Sequence, residues 1–370
     1  MVTTFNNAAG LTFSPRVRVL LSRHHSRARY NNDMPLRWTF AIAAALLLGA
    51  AAASDTPDTL RGVAAEYYAN AARIATVTGR VSAMDYYERL LDDADLWSAP
   101  APSGLSERSW QSLRESEAGL DLSLTTQLLR GSFMPMAAIR GLGETFVRSS
   151  GDGTMQPVAV YVPHNYSAAR PSPLLVFLHG HLQAESHLLA PEFVENLAEA
   201  TNTIVVAPYG RGYYDFSGSE SDVYDALDAA ERSFNVDVHR RYLAGYSMGA
   251  FSLFRIAPIH SADWAALMSV SGSLLASRAA AVLGKMRGTR FYVLTGSADA
   301  VVPTAYSTAT AIFLRDNGAA VTFYSQPGGT HSLYSLRSIL SSAWTDMERG
   351  AVRLPVGLTG AASLPSAAGE

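Results

Sequence analysis

The chain contains no cysteine, and Lys285 is its one lysine. The first absence excludes disulfides, thiol nucleophiles and thiolate-held metals, together with any lipid anchor carried on a cysteine. The second means that the other 28 basic residues are arginines, which we read as codon bias in a GC-rich source with no functional content. Charge is sparse as well, with Asp, Glu, Lys and Arg making up 16% of the residues. It is also unevenly spread. Residues 1–53 hold six arginines and one acid, which leaves 23 basic and 31 acidic residues in the remainder, a net charge of −8. A mildly acidic body argues against nucleic acid as a partner.

What the chain does have is apolar material. With 370 residues, 48% hydrophobic and 10% aromatic, it can bury the core of one large domain with an appendage, or of two ordinary domains. The uncharged run from Trp38 to Ala53 has 16 residues, short of the roughly 20 that span a bilayer. Read from Met34, this segment has the parts of a secretory signal: Arg37 as the positive n-region, Trp38–Leu48 as the apolar stretch, and Ala51-Ala52-Ala53 as a small-residue cleavage site before Ser54. An exported protein without a stable membrane span is therefore expected. Residues 1–33 read as an upstream start or a long n-region and are set aside.

The spacing divides the rest. Residues 54–140 follow a helical period, with Leu60, Val63, Tyr67, Ala71 and Ile74 on one face and Met84, Tyr87, Leu91 and Ala94 on another after a Ser82-x-x-Asp85 capping box. A third helix is predicted over Ser106–Leu129. Within 141–350 the pattern changes. Short β-rich runs flank Asp152-Gly153, a hairpin signal. Apolar runs beginning at Leu174, Thr203, Arg241, Ala265, Arg290 and Ala320 then alternate with helical segments near Pro191–Ala200, Ser221–Phe234, Met248–Ile256, Thr304–Asn317 and Ser332–Met347. Strands apolar on both faces and separated by helices predict an α/β fold with a mostly parallel sheet covered on both sides. Residues 351–370 form a C-terminal tail.

In such sheets the chemistry gathers beyond the carboxyl ends of the strands. Gly245-Tyr246-Ser247-Met248-Gly249 sits at that address, after an apolar strand and before a helix, which is the context of a nucleophile elbow. A serine hydroxyl is a weak nucleophile at neutral pH and needs a base, itself oriented by an acid. Of nine histidines, only His260 and His331 follow Ser247. His331, in a glycine-rich loop after the last strand, is the better placed base. Between Ser247 and His331 the acids considered are Asp263, Asp299 and Asp316. Asp299 directly follows a strand and is preferred, with Asp263 in reserve. The oxyanion requires two backbone donors. The amides of Met248 and His181 are assigned, with Leu182 as the alternative to His181. A metal site built from His179, His181 and His187 is the rival reading of that loop; no carboxylate cluster accompanies it in the sequence.

Leu174–Gly180, Gly245–Gly249, Gly296–Pro303 and Gly328–His331, taken in order, resemble the α/β-hydrolase superfamily, most closely its secreted serine esterases of the polyhydroxyalkanoate-depolymerase and feruloyl-esterase-like kind. The resemblance covers about Gly141 to Gly350. It implies an eight-stranded mixed sheet, the triad Ser247, Asp299 and His331, a small-molecule or polymer ester as substrate, and no cofactor. Two departures stand out: Ala250 where many members carry glycine, and His181-Leu182-Gln183 where subgroups carry further glycines or a cysteine. The alternatives are a prolyl-oligopeptidase-like peptidase, with Glu66, Glu88, Asp92 and Asp93 available to bind a substrate amino terminus, and a noncatalytic binding protein of the same fold. Tyr209 to Tyr214 form a tyrosine-rich loop that either lines a pocket or packs on its own domain.

Overall fold

The computed structural model describes residues 56–78, 89–91, 93–94, 97–101, 105–181, 183–211, 216–353, 358 and 363–366. The leader, the capping box at Ser82 and Asp85, Met84, Tyr87, Glu88, Asp92, Leu182, Gly212, Tyr213, Tyr214 and most of the C-terminal tail lie outside the described residues. So do the side chains of Ala71 and Ile74. The chain divides into two compact units, 1–55 and 56–370, and everything described belongs to the second.

Eight strands form one sheet: β1 (Gly141–Arg148), β2 (Met155–Val162), β3 (Ser172–Leu178), β4 (Ile204–Pro208), β5 (Val236–Tyr246), β6 (Ala266–Val270), β7 (Arg290–Gly296) and β8 (Ala320–Gln326). Their order is β1-β2-β4-β3-β5-β6-β7-β8. β1 and β2 pair antiparallel, and β2 runs antiparallel to β4, while β4, β3, β5, β6, β7 and β8 are mutually parallel. The hairpin forms where Asp152-Gly153 predicts it. Gly153 takes a φ of 76°, and the Asp152 carboxylate accepts from the amide and hydroxyl of Thr154.

The continuous apolar runs are strands buried along their whole length, as in β3, β4 and β6. Alternation along the backbone sends side chains to opposite faces. In β3, Leu174, Val176 and Leu178 enter one core layer, and Leu175 and Phe177 enter the other. The first layer is closed by α4 (Glu220–Ser233), α5 (Met248–Ile256), α6 (Ala279–Lys285) and α7 (Thr304–Asp316), through Ala226, Leu253, Val282 and Leu314 among others. The second is closed by α3 (Glu192–Thr201) and α8 (Arg337–Arg349), through Val194, Ala198, Leu340 and Trp344.

Two long helices precede the sheet, α1 (Thr56–Thr78) and α2 (Glu107–Arg130). Ser106 caps α2 by accepting from the Ser109 amide, and Gly131, at a φ of 63°, closes its C-terminus. Val63, Tyr67, Leu124 and Leu128 from these helices pack with Phe146 and Met155 of the hairpin.

Three elements differ from expectation. α6 has Val282 as its one buried residue, so it carries no apolar stripe to read. β5 begins at Val236 rather than near Arg241, because its polar first half pairs with β3 only through a register shift between Ser172 and Leu174. The segment from Ser332 splits into a 3-10 turn, Leu333–Leu336, and α8.

Candidate active site

The site begins at the junction of β5 and α5. Ser247 occupies the single position between them at φ 51° and ψ −117°, a conformation that costs an L-residue on the order of 1–3 kcal/mol. The surrounding backbone enforces it. A Cβ on Gly245 would lie 2.2 Å from the Gly249 carbonyl oxygen, and one on Gly249 would lie 2.3 Å from that of Leu178. Hydrogen bonds fix the same turn: the Ser247 amide donates to Val270 (2.9 Å), and the Gly249 amide donates to His179 (3.0 Å). Ala250, where glycine is common, faces Gly272, whose missing side chain leaves space for the alanine methyl. The strand order, with a strained serine turn leading from the central parallel strand into a helix, decides the fold. This is the α/β-hydrolase fold.

Two further loops of the hydrolase fold bring side chains to Ser247. His331 Nε2 lies 2.9 Å from Ser247 Oγ, and Nδ1 of the same ring lies 2.9 Å from Asp299 Oδ2 and 3.1 Å from Oδ1. With the hydrogen on Nδ1, the Nε2 lone pair faces the serine hydroxyl. The Asp299 side chain is fully buried, yet its pKa lies below the usual carboxylate value. Burial pushes it up; the His331 hydrogen bond and charge, with the amides of Val302 and Val301, outweigh that. The two loops are joined to each other. The Ala298 amide donates to Gly329 (2.8 Å), and a Cβ on Gly296 would lie 2.2 Å from the same carbonyl oxygen. Tyr246 adds a contact that sequence reasoning missed: its phenol donates to the His331 carbonyl, and its ring lies tilted against the imidazole at 5.3 Å. Burial raises the Tyr246 pKa, so the phenol remains a neutral donor. Its position inside the Gly-x-Ser-x-Gly motif was the available signal.

The other chain-order candidates are engaged elsewhere. His260 packs edge-on against Tyr224, Asp263 pairs with Arg241 at 3.2 Å, and Asp316 pairs with Arg315 at 2.7 Å.

The loop after β3 runs past the start of α5, where the His179 carbonyl holds the Gly249 amide. Met248 is the first residue of α5, so its N–H has no intrahelical acceptor, and no other acceptor meets it among the described residues. The Gly180 amide is already taken by Gln183 Oε1 at 2.9 Å. His181 is exposed on this loop. The histidines of the rival metal reading do not converge. His179 is buried with its ring nitrogens on the carbonyls of Gly180 (2.9 Å) and Tyr209 (2.6 Å), and burial lowers its pKa. His187 accepts the Ala184 amide at Nδ1 (3.1 Å) and meets Asp93 at Nε2 (3.2 Å). Among the described residues no group of three or more side chains could hold a metal ion, and no helix is long and apolar enough to cross a membrane.

Tyr209 is buried, and Arg211 is turned to Asp152 and Asp222, so the described part of that loop packs on its own domain. Asp93, one of the acids of the peptidase reading, is buried beside Arg89 and His187.

No protein-family profile matches the sequence. Over 109 residues the chain is 33% identical to the bifunctional acetylxylan esterase/xylanase XynS20E of Neocallimastix patriciarum, a match spanning 28% of this chain and 16% of that protein. Among solved structures, the ferulic acid esterase AmCE1/Fae1A of Anaeromyces mucronatus superposes with a TM-score of 0.42 at 17% identity, covering 56% of this chain and 90% of that one. An S-formylglutathione hydrolase of Staphylococcus aureus gives 0.47 at 16% identity over 57% and 98%. A puromycin-hydrolysing peptidase of Mycobacterium tuberculosis gives 0.46 at 17% identity over 60% and 41%.

Proposed function

We propose that the chain is a serine hydrolase that cleaves carboxylic esters through an acyl-enzyme, with residues 141–350 as the catalytic part. The observation that carries this reading is the run of hydrogen bonds from Ser247 through His331 to Asp299 at a strained strand-to-helix turn. As Ser247 Oγ bonds to the acyl carbon, its proton passes to His331 Nε2 and the carbonyl π electrons move onto oxygen. Asp299 keeps the Nδ1 hydrogen in place and stabilises the imidazolium. The amides of Met248 and His181 hold the oxyanion, each contributing about 3–4 kcal/mol where such donors have been removed. Collapse expels the alcohol, which takes the proton from His331. Water then repeats the sequence on the acyl-enzyme and releases the acid, so the protein groups need no cofactor.

The acetylxylan esterase in the name of the curated relative supports esters over amides. The burial of Asp93 leaves the peptidase reading without that anchoring acid. The test is turnover of p-nitrophenyl acetate beside prolyl-p-nitroanilide. We expect ester turnover alone, with Ser247→Ala lowering it by roughly 10⁴–10⁶-fold; faster cleavage of the anilide than of the ester would reverse the assignment. We also propose export through the segment from Met34 to Ala53, tested by the N-terminal sequence of protein recovered from the periplasm or medium, with Ser54 expected first.

A further inference from the structure

The loop between β3 and α3 is fastened from the helical side of the molecule. Arg89, fully buried, forks onto Glu185: Nε reaches Oε2 at 3.1 Å and Nη2 reaches Oε1 at 3.0 Å. The rest of the guanidinium is held by Asp93 (3.3 Å), by Asp121 of α2, and by Glu144 of β1, whose Oε1 lies 3.4 Å from the same Nη2. The two following loop residues are also gripped by helical residues. Ser186 Oγ donates to Glu117 Oε2 at 2.6 Å, and His187 faces Asp93 with the Trp97 ring edge-on at 5.3 Å.

This arrangement is costly as a stabiliser. Burial pushes the Asp121 carboxyl up to about 8 and the Glu144 carboxyl well above its ordinary value, although Arg89 opposes both shifts. Buried ion clusters seldom outdo apolar packing in stability, and their best-attested use is to fix one arrangement. Here the arrangement fixed is a loop. Glu185 lies four residues beyond His181, on the segment whose first carbonyl touches α5.

We infer that Arg89 is a positioning residue for ester hydrolysis: its fork on Glu185 holds the loop after β3 in the shape that presents the His181 amide to the oxyanion. This rests on the function proposed above. It makes the helical residues part of the working site, since a displacement of about 1 Å at such a donor costs on the order of 10²-fold in rate.

Two variants of the full chain separate positioning from support. Glu185→Gln and Glu144→Gln each remove a buried carboxyl from the same Arg89 nitrogen, and only the first lies on the loop. For p-nitrophenyl acetate, assayed well below each melting temperature, Glu185→Gln should lower kcat by about 30-fold or more with KM nearly unchanged, and Glu144→Gln should leave kcat within about twofold. Backbone hydrogen exchange over residues 179–188 should rise in Glu185→Gln and stay at the wild-type level in Glu144→Gln. Equal kcat losses in the two variants, or unchanged exchange over 179–188 in Glu185→Gln, would overturn the inference. A wild-type chain with no ester turnover and no fluorophosphonate adduct on Ser247 defeats the proposed function instead, and the exchange comparison still decides the clasp.

Discussion

His331 and Asp299 are joined through a single imidazole nitrogen, Nδ1, which lies within 2.9–3.1 Å of both carboxylate oxygens. The other nitrogen of that ring is left to face Ser247. An Asp299→Asn side chain keeps the shape but can donate to Nδ1 and so select the wrong tautomer. We expect kcat for p-nitrophenyl acetate to fall by roughly 10⁴-fold, with circular dichroism unchanged.

The same carboxyl makes a prediction in acid. Its folded pKa is depressed, so its contribution to stability is present above the unfolded value of about 3.9 and is lost as pH falls through the folded one. Thermal melts from pH 6 down to pH 2 should show the wild type losing more stability than Asp299→Asn. Parallel curves would mean that the carboxylate gains nothing from its contacts.

Glu348 gives the opposite sign. Burial raises its carboxyl to about 7 despite the Thr203 hydroxyl at 2.6 Å. Between its unfolded value of about 4.3 and this folded one, the native state holds a proton that the unfolded state lacks, so stability falls as pH rises through that window. Glu348→Gln removes the loss. Its melting temperature should match the wild type near pH 4 and exceed it by on the order of 5 °C at pH 8; a constant offset across this range contradicts the account.

Glycine substitutions separate necessity from tolerance. A methyl at Gly249 meets the Leu178 backbone at 2.3 Å, so Gly249→Ala should destroy both the turn and the activity. A methyl at Gly119, in the middle of α2, meets nothing within 4 Å. Gly119→Ala should stabilise by about 0.5–1 kcal/mol, seen as a rise of about 1–2 °C in melting temperature with kcat unchanged.

The apolar runs carried most of the sheet, because strands buried on both faces announce themselves by composition, as β3 and β4 do. The serine turn was legible because steric demand writes it as glycines two residues to either side of Ser247. His331 and Asp299 followed from chain order and strand ends. What could not be read shares one physical trait, dependence on partners distant in sequence. Arg89 and Glu185 are 96 residues apart, and nothing near either residue advertises the other. Tyr246 serves the site through a carbonyl 85 residues away. The first half of β5 escaped because its polar Asp237, His239 and Arg240 break the apolar run. The short helix at Ala279 escaped because it rests on one buried valine.

The central claim is that Ser247 is a nucleophile activated by His331. Intact-mass and peptide mapping of the full chain after a fluorophosphonate probe tests it most directly. The account predicts one adduct per chain, on Ser247, formed at least about 10³-fold more slowly in His331→Ala. A folded wild-type chain that carries no adduct, or carries it on another residue, would contradict it.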